Sequence, residues 1–320
     1  MMFIRHYKLI ILFLIVLLAG WGTWHLFENK DPSVINVGYL PCDHSAALFV
    51  AKNNKTYENN GLKIKTTQIS TGSNIVDAVA SGDMDIGYVG ITPAMQGISK
   101  GIPIKVVGAV NLVGSGIVVE PNSKIKNPAD LKGKKIATPG VSSIQQVLLL
   151  YELQKYNITP QEVNIISINV YNIPSTLAAR KVDAYISYEP FVSMAPYRDI
   201  GEVMIYSNDI LEDHPCCVII TREDFINSHP DELSKFLEIH QNSTEYVINH
   251  PNQTAEIITQ ELTTNYDLEI ISLQHITFVS SVDKEFQDNV LRFMEIEYNM
   301  GYLKKNLTAN EIFDASFLGG

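Results

Sequence analysis

The stretch Thr71-Gly72-Ser73-Asn74-Ile75-Val76-Asp77-Ala78-Val79-Ala80-Ser81-Gly82-Asp83-Met84-Asp85-Ile86-Gly87-Tyr88-Val89-Gly90 sets the grammar of the whole chain. Ser73 is placed to cap a short helix, and Ile75, Val76 and Val79 give that helix an apolar stripe. Gly82 ends it ahead of a strand that stops at Gly90. One end of this unit is a helix N-terminus with free backbone N–H groups, and the other is a strand C-terminus followed by small residues. Those are the places where open α/β sheets bind small ligands.

Outward from this unit the pattern repeats. Before it, Val34–Leu40 alternates as a first strand, Pro41–Ser45 is a loop, Ala46–Asn53 reads as a helix packed on a sheet, and Leu62–Ile69 as a second strand. After it come a helix over Pro93–Lys100 and a Val-rich strand over Ile104–Asn111. Gly114 and Gly116 then separate this strand from another at Ile117–Glu120, and the two glycines make a candidate hinge. A second α/β series follows: strand Lys135–Thr138, a helix over Ile144–Tyr156 capped by Ser142 or Ser143, strand Asn164–Asn169, a short helix over Ser175–Arg180, and a strand from Asp183 ending at Ser187-Tyr188-Glu189-Pro190. Met204–Tyr206 reads as a strand, and Cys216–Thr221 leads the chain back to the first lobe. From Arg222 onward the pattern is helical: Asp231–Ile248, Asn252–Glu261, Leu268–Leu273, Lys284–Met300 and Ala309–Phe313.

With 320 residues, 46% of them hydrophobic, the chain buries a sizeable core in two lobes. The formal net charge is -11, and because Arg5, Lys8 and Lys30 outweigh Glu28 at the start, the remainder is more acidic still. Such a body argues against nucleic acid and anionic lipid headgroups as partners. Leu9–Phe27 is an apolar run without a charged residue, preceded by Arg5, His6 and Lys8. Its length fits a membrane helix with the N-terminus inside the cell and the body outside. A cleaved signal peptide is the rival, but Ala19–Trp24 offers no small-x-small cleavage site, and Trp21 and Trp24 suit an interfacial belt. No Cys follows Leu18-Ala19-Gly20 to carry a lipid anchor.

Several segments in this order resemble the solute-binding proteins of the nitrate/sulfonate/taurine branch of ABC importers, which share their fold with the thiamin-pyrimidine synthase-like family. They are Gly38–Pro41 with Ala51-Lys52, Tyr57–Leu62, Ala80–Gly87, Gly101–Val107, Asp130–Ala137, Val182-Asp183-Ala184, Glu189-Pro190 and His229-Pro230. The resemblance implies an α/β, periplasmic-binding-protein type II fold with two lobes, a two-segment hinge and a solute enclosed between them, here preceded by the N-terminal membrane helix. The expected organisation is an anchor over 1–30, lobe 1 over 31–114, lobe 2 over 115–213, and a mostly helical return to lobe 1 over 214–320. The implied partners are a small-molecule solute, an ABC permease with its ATPase, and the membrane through the N-terminal helix. No catalytic residue and no cofactor is implied.

Placed at the strand ends, the candidate ligand contacts of the first lobe are Pro41, Cys42, Asp43, His44, Ser73, Asn74, Gly90, Ile91, Thr92, Gly114 and Ser115. Those of the second are Val141, Ser142, Ser143, Tyr188 and Glu189. Ser73 and Ser142 offer a hydroxyl beside free N–H groups, which suits an oxyanion as well as plain capping. Asp43 and Glu189 pull toward amino or ring N–H groups instead. No Lys or Arg falls at any of these positions, which disfavours a doubly charged ligand. The expected solute is therefore an anion of the nitrate, sulfonate, taurine or bicarbonate kind, or else a neutral heterocycle such as a thiamin-pyrimidine precursor.

Cys42, Cys216 and Cys217 read as buried structural thiols. A bridge from Cys42 to one of the pair is open, whereas the spacings with Asp43, His44, Asp213 and His214 match no metal motif, so no metal is expected. A synthase-like enzyme is the rival function; Cys216-Cys217 fits its cysteine-rich motif only in part, and no Gly-x-Ser-x-Gly elbow or phosphate-binding glycine loop occurs. A sensor ectodomain would have to signal through a partner, since few residues precede the anchor.

Overall fold

The quoted stretch folds into helix Gly72–Ser81 and strand Ile86–Gly90, with Gly82 at φ +83 closing the helix and all five strand residues buried. Ile75, Val76 and Val79 are the buried stripe. The cap is a correction: Thr71, not Ser73, holds it, its Oγ1 accepting from the Asn74 N–H at 3.3 Å. Both hydroxyls lie within reach of first-turn amides in sequence, and the extended backbone of Thr71 selects between them.

The computed structural model describes residues 31 and 33–317. It divides into compact units over 1–34 and 35–320. In the first, the Asp31 carboxylate accepts from the Ser33 hydroxyl at 2.7 Å. The expected anchor, Leu9–Phe27, lies outside the described residues, among which no helix is long and apolar enough to cross a membrane.

In chain order the strands are β1 (Val34–Tyr39), β2 (Lys63–Gln68), β3 (Ile86–Gly90), β4 (Ile104–Val113), β5 (Ser115–Val119), β6 (Lys135–Thr138), β7 (Asn164–Ser167), β8 (Ala184–Tyr188), β9 (Glu202–Tyr206), β10 (Pro215–Arg222) and β11 (Ile276–Phe278). Helices of eight residues or more are α1 (Ala46–Asn53), α2 (Gly72–Ser81), α3 (Ile91–Ser99), α4 (Ile144–Lys155), α5 (Pro230–Asn249), α6 (Pro251–Leu262), α7 (Tyr266–Leu273) and α8 (Lys284–Asn299). One sheet runs β11-β4-β10-β3-β1-β2 and the other β7-β6-β8-β5-β9. The chain passes between them twice, at Gly114 and over residues 207–214.

β1 and β3 are parallel, while β10 returns antiparallel between β3 and β4. Covered on both faces, these strands read as continuous apolar runs such as Val218-Ile219-Ile220, all fully buried. α5 packs on α1, and on the short turn Thr56–Asn59 that follows it, where Phe236 stacks on Tyr57 with ring centroids 5.4 Å apart. The wholly helical ending expected after Arg222 is interrupted by β11, an edge strand of three residues paired with β4. Ile276-Thr277-Phe278 is too short to show alternation, and only pairing with β4 defines it. Of the two candidate hinge glycines, Gly114 alone has positive φ, +87; Gly116 lies inside β5.

The repeated grammar has a physical basis. In the first sheet the Asp85 carboxylate accepts from the backbone N–H of Asn36 at 2.8 Å, and in the second the Asp183 carboxylate accepts from the backbone N–H of Lys135 at 2.8 Å. Each acid sits just before a central strand and fastens the first residues of its parallel neighbour. Hydrogen bonds to charged groups contribute about 1.5–3 kcal/mol. Asp85→Ala and Asp183→Ala should each lower unfolding free energy by about that amount in urea titrations, and Asp183→Asn should recover part of the loss because an acceptor oxygen remains.

Candidate functional site

Three helix N-termini converge on one cavity of about 340 Å³ between the sheets. α2 contributes Thr71, Gly72 and Ser73; α3 contributes Gly90 and Pro93; α4 contributes Ser142, Ser143, Ile144 and Gln145. Ser143 caps α4, accepting from the Gln146 N–H at 3.2 Å. The close approach of α2 to α3 requires Gly72, since a Cβ there would lie 2.7 Å from Pro93 Cγ. Among the described residues, neither lysine nor arginine nor any carboxylate lines the cavity; its polar groups are hydroxyls, thiols, an imidazole and the Gln145 amide. Between the segments around the two sheets, the Gln68 amide donates to the Tyr171 hydroxyl at 2.6 Å, and the Tyr197 hydroxyl to Asn265 Oδ1 at 2.9 Å.

Of the residues expected at the site, Cys42, His44, Ser73, Gly90, Val141, Ser142, Ser143 and Tyr188 line this cavity. Pro41, Asp43, Asn74, Ile91, Thr92, Gly114, Ser115 and Glu189 do not. Several of these stand directly behind the lining. Ser115 Oγ accepts from the Gln145 amide at 2.9 Å and so orients it. Thr92 turns away, donating its hydroxyl to the buried Glu297. Asn74 is exposed on the first turn of α2. Pro41 and Ile91 are buried.

Sequence reasoning at the site passes over Gln145 and Ser167 and treats Cys216 and Cys217 as structural thiols, yet all four line the cavity with Cys42 and His44. All three cysteines are free, and both members of the pair face the same space. Neighbours in a regular strand point to opposite faces; here the ladder to β4 slips at Pro215–Cys217 and again at Cys217–Val218, and such a bulge re-aims a side chain. His44 Nδ1 lies 3.6 Å from Cys216 Sγ and 3.4 Å from Cys217 Sγ, and the sulfurs are 4.0 Å apart. These three donor atoms form a compact group with the reach of a metal site.

The electrostatics of the group follow from this packing. Cys217 holds the Cys216 thiol well below its ordinary pKa, with the imidazole adding to the effect against burial. The same contact raises Cys217, and burial raises Cys42. Burial disfavours the imidazolium of His44, but Cys216 and the Gly114 carbonyl outweigh it and raise its pKa. Gly114 is essential to this contact: its carbonyl is 3.3 Å from His44 Nε2, and a Cβ at that position would lie 2.6 Å from the same nitrogen.

The NMT1-like family model matches residues 28–261, well over half of the chain. The chain belongs to the NMT1-like family. Among its relatives is the putative aliphatic sulfonates-binding protein of Bacillus subtilis strain 168, 24% identical over 90% of this chain and 82% of the relative. Another is a 4-amino-5-hydroxymethyl-2-methylpyrimidine phosphate synthase of Saccharomyces cerevisiae, 24% identical over 70% of this chain and 69% of the synthase. In fold it matches the alkanesulfonate-binding protein SsuA of Xanthomonas axonopodis pv. citri bound to MOPS, with a TM-score of 0.78, 18% identity, and coverage of 89% of this chain and all of that one. The architecture is thus the α/β periplasmic-binding-protein fold with two sheets.

In this NMT1-like chain, the carboxylates expected to face the solute are sequestered behind the cavity. Asp43 is buried and accepts from the Ser272 hydroxyl; Ser272 Oγ is also 3.3 Å from Glu189 Oε2. Glu189 further accepts from the Ser193 N–H at 2.9 Å and its hydroxyl at 2.8 Å. Burial raises the Asp43 carboxyl well above its ordinary value, with Glu269 adding to the effect, and pushes Glu189 up to about 7. Burial likewise raises Glu297 to about 8. A carboxyl raised in the folded state binds more protons folded than unfolded. Its contribution is therefore complete below the ordinary value of 4.5 and lost as pH rises through about 7 for Glu189 and about 8 for Glu297. Unfolding free energies from urea titrations should accordingly fall between pH 5 and 8, by at most about 1.4 kcal/mol per pH unit for each ionising group. Glu297→Gln should remove the upper part of that slope.

Proposed function

We propose that this NMT1-like protein is the extracytoplasmic solute-binding component of an ABC importer, held at the membrane by its N-terminal segment, and that it encloses a small oxyanion of the sulfonate class between its lobes for delivery to a permease. The observation that carries this reading is the convergence of α2, α3 and α4 N-termini on a cavity without charged carboxylates or cations. Each such terminus favours an anion by about 0.3–1 kcal/mol at an exposed surface and up to about 2 when partly buried. The sulfonate-binding relative and the fold shared with an alkanesulfonate-binding protein support the same class.

The neutral-heterocycle reading rested on Asp43 and Glu189, and neither lines the cavity. The synthase relative leaves an enzyme as the rival. It would require turnover, which a receptor does not show.

A thermal-shift screen of the full chain against alkanesulfonates, taurine, nitrate, bicarbonate and pyrimidine precursors separates the readings. A solute that binds only the folded state stabilises it by about 2.7 kcal/mol at a hundredfold excess over Kd. A shift with sulfonates is expected; a shift with pyrimidines alone would overturn the oxyanion class. Tyr171→Phe removes the hydroxyl that accepts from Gln68 across the lobes, and should weaken solute binding about two- to tenfold, seen chiefly as faster release. Ser142→Ala should weaken it without lowering the melting temperature of the unliganded protein. Unchanged affinity in both would refute enclosure at this cavity.

A further inference from the structure

We infer that the inner end of the cavity is a binding site for one thiophilic d-block cation, held by Nδ1 of His44 and Sγ of Cys216 and Cys217, with its fourth coordination position open to the cavity. The metal site stands on its own geometry; only the identity of the fourth ligand, the enclosed solute or water, rests on the proposed function.

The distances fit such an ion. Tetrahedral coordination with metal–sulfur bonds of about 2.3 Å and a metal–nitrogen bond of about 2.0–2.1 Å separates two sulfurs by about 3.8 Å and a sulfur from a nitrogen by about 3.6 Å. The corresponding separations here are 4.0 Å for the sulfurs and 3.6 and 3.4 Å from the nitrogen to each of them. No large movement is needed to bring all three onto one centre.

The imidazole is oriented for the task. With Nε2–H donating to the Gly114 carbonyl at 3.3 Å, the lone pair is on Nδ1 and points at both sulfurs, the outer-shell arrangement that fixes the tautomer of a ligating histidine. The buried His240 contrasts with it, since its Nδ1 meets the Tyr88 hydroxyl at 3.1 Å and its Nε2 the Ala109 carbonyl at 2.8 Å, so both nitrogens have oxygen partners. A Cys216–Cys217 disulfide is the poorer alternative. Adjacent Cα atoms are about 3.8 Å apart, whereas bridged cysteines usually keep theirs at about 4.4–6.8 Å.

Two thiolates and an imidazole select soft ions, Zn(II), Co(II) or Cu(I), over Mg(II) and Ca(II), and no carboxylate lines the cavity to favour the hard ions. Binding breaks two S–H bonds, forms two metal–sulfur bonds and releases two protons to solvent, with no change of oxidation state. A divalent ion then balances the two thiolate charges. It also keeps the inner cavity from repelling an anion drawn in by the helix termini.

The test is a titration of the full chain, reduced, stripped of metal and kept in oxyanion-free buffer, with Co(II). One equivalent should produce thiolate-to-cobalt charge-transfer absorption and the visible bands of a tetrahedral centre, and Zn(II) should displace it. Cys216→Ser, Cys217→Ser and His44→Ala should each weaken uptake by more than about tenfold, since loss of even an outer-shell partner costs that much. X-ray absorption of the Zn(II)-loaded wild-type chain needs no variant and should count two sulfurs and one imidazole nitrogen. Substoichiometric uptake, an oxygen-only shell, or uptake unaffected by the substitutions would overturn the site. Because no solute is present in the titration, its failure leaves the solute screen standing, and failure of that screen leaves the titration standing.

Discussion

Everything at the site depends on one strand pairing. β10 leaves the second lobe and inserts antiparallel between β3 and β4, so that Cys217 lies opposite both Gly90 and Asn111. That insertion ties the segment leaving the second sheet into the core of the first. It also carries the start of β10 to the sheet edge where β1 and β3 end. There the bulged ladder delivers two adjacent thiols to one face, beside the loop that follows β1. A regular ladder would have turned one of them into the sheet core.

The first crossing between the lobes is built into the same corner. Val113 and Gly114 both have positive φ, at +52 and +87. The turn they make presents the Gly114 carbonyl to His44, while the missing Cβ leaves room for the ring. Behind it, Ser272 of α7 stands between Asp43 of the first lobe and Glu189 of the second, a buried hydroxyl shared by two raised carboxyls. Crossing, imidazole and acid cluster are thus one packed unit.

Electrostatically the cavity works by dipoles. Its wall carries no lysine, arginine, aspartate or glutamate, and the positive ends of three helices supply the field. Burying ionised carboxylates there would cancel that field. Their retreat behind the wall, with both carboxyls raised by burial, keeps them from that field. The thiol pair is the place where negative charge could persist, and a bound cation would neutralise it.

Much of this was legible in sequence, for definite reasons. Period and punctuation fixed the helix-to-strand units: Ile75, Val76 and Val79 repeat at helical spacing, Gly82 stops the helix, and Gly90 ends the strand that follows. Strand ends then located the loops holding His44, Ser142 and Tyr188, because ligand loops follow strand C-termini in such sheets. Local pattern could not distinguish Thr71 from Ser73 as a cap, nor show β11, whose three residues become a strand only through β4. It could not say which way a loop carboxylate turns, so Asp43 and Glu189 looked like site residues although they pair through Ser272. By itself the sequence determined most of the elements and their order, since these follow from short-range periodicity and backbone preference. Only the tertiary structure decided that Cys216 and Cys217 meet His44, because that contact spans 172 residues and depends on the register and bulge of one returning strand.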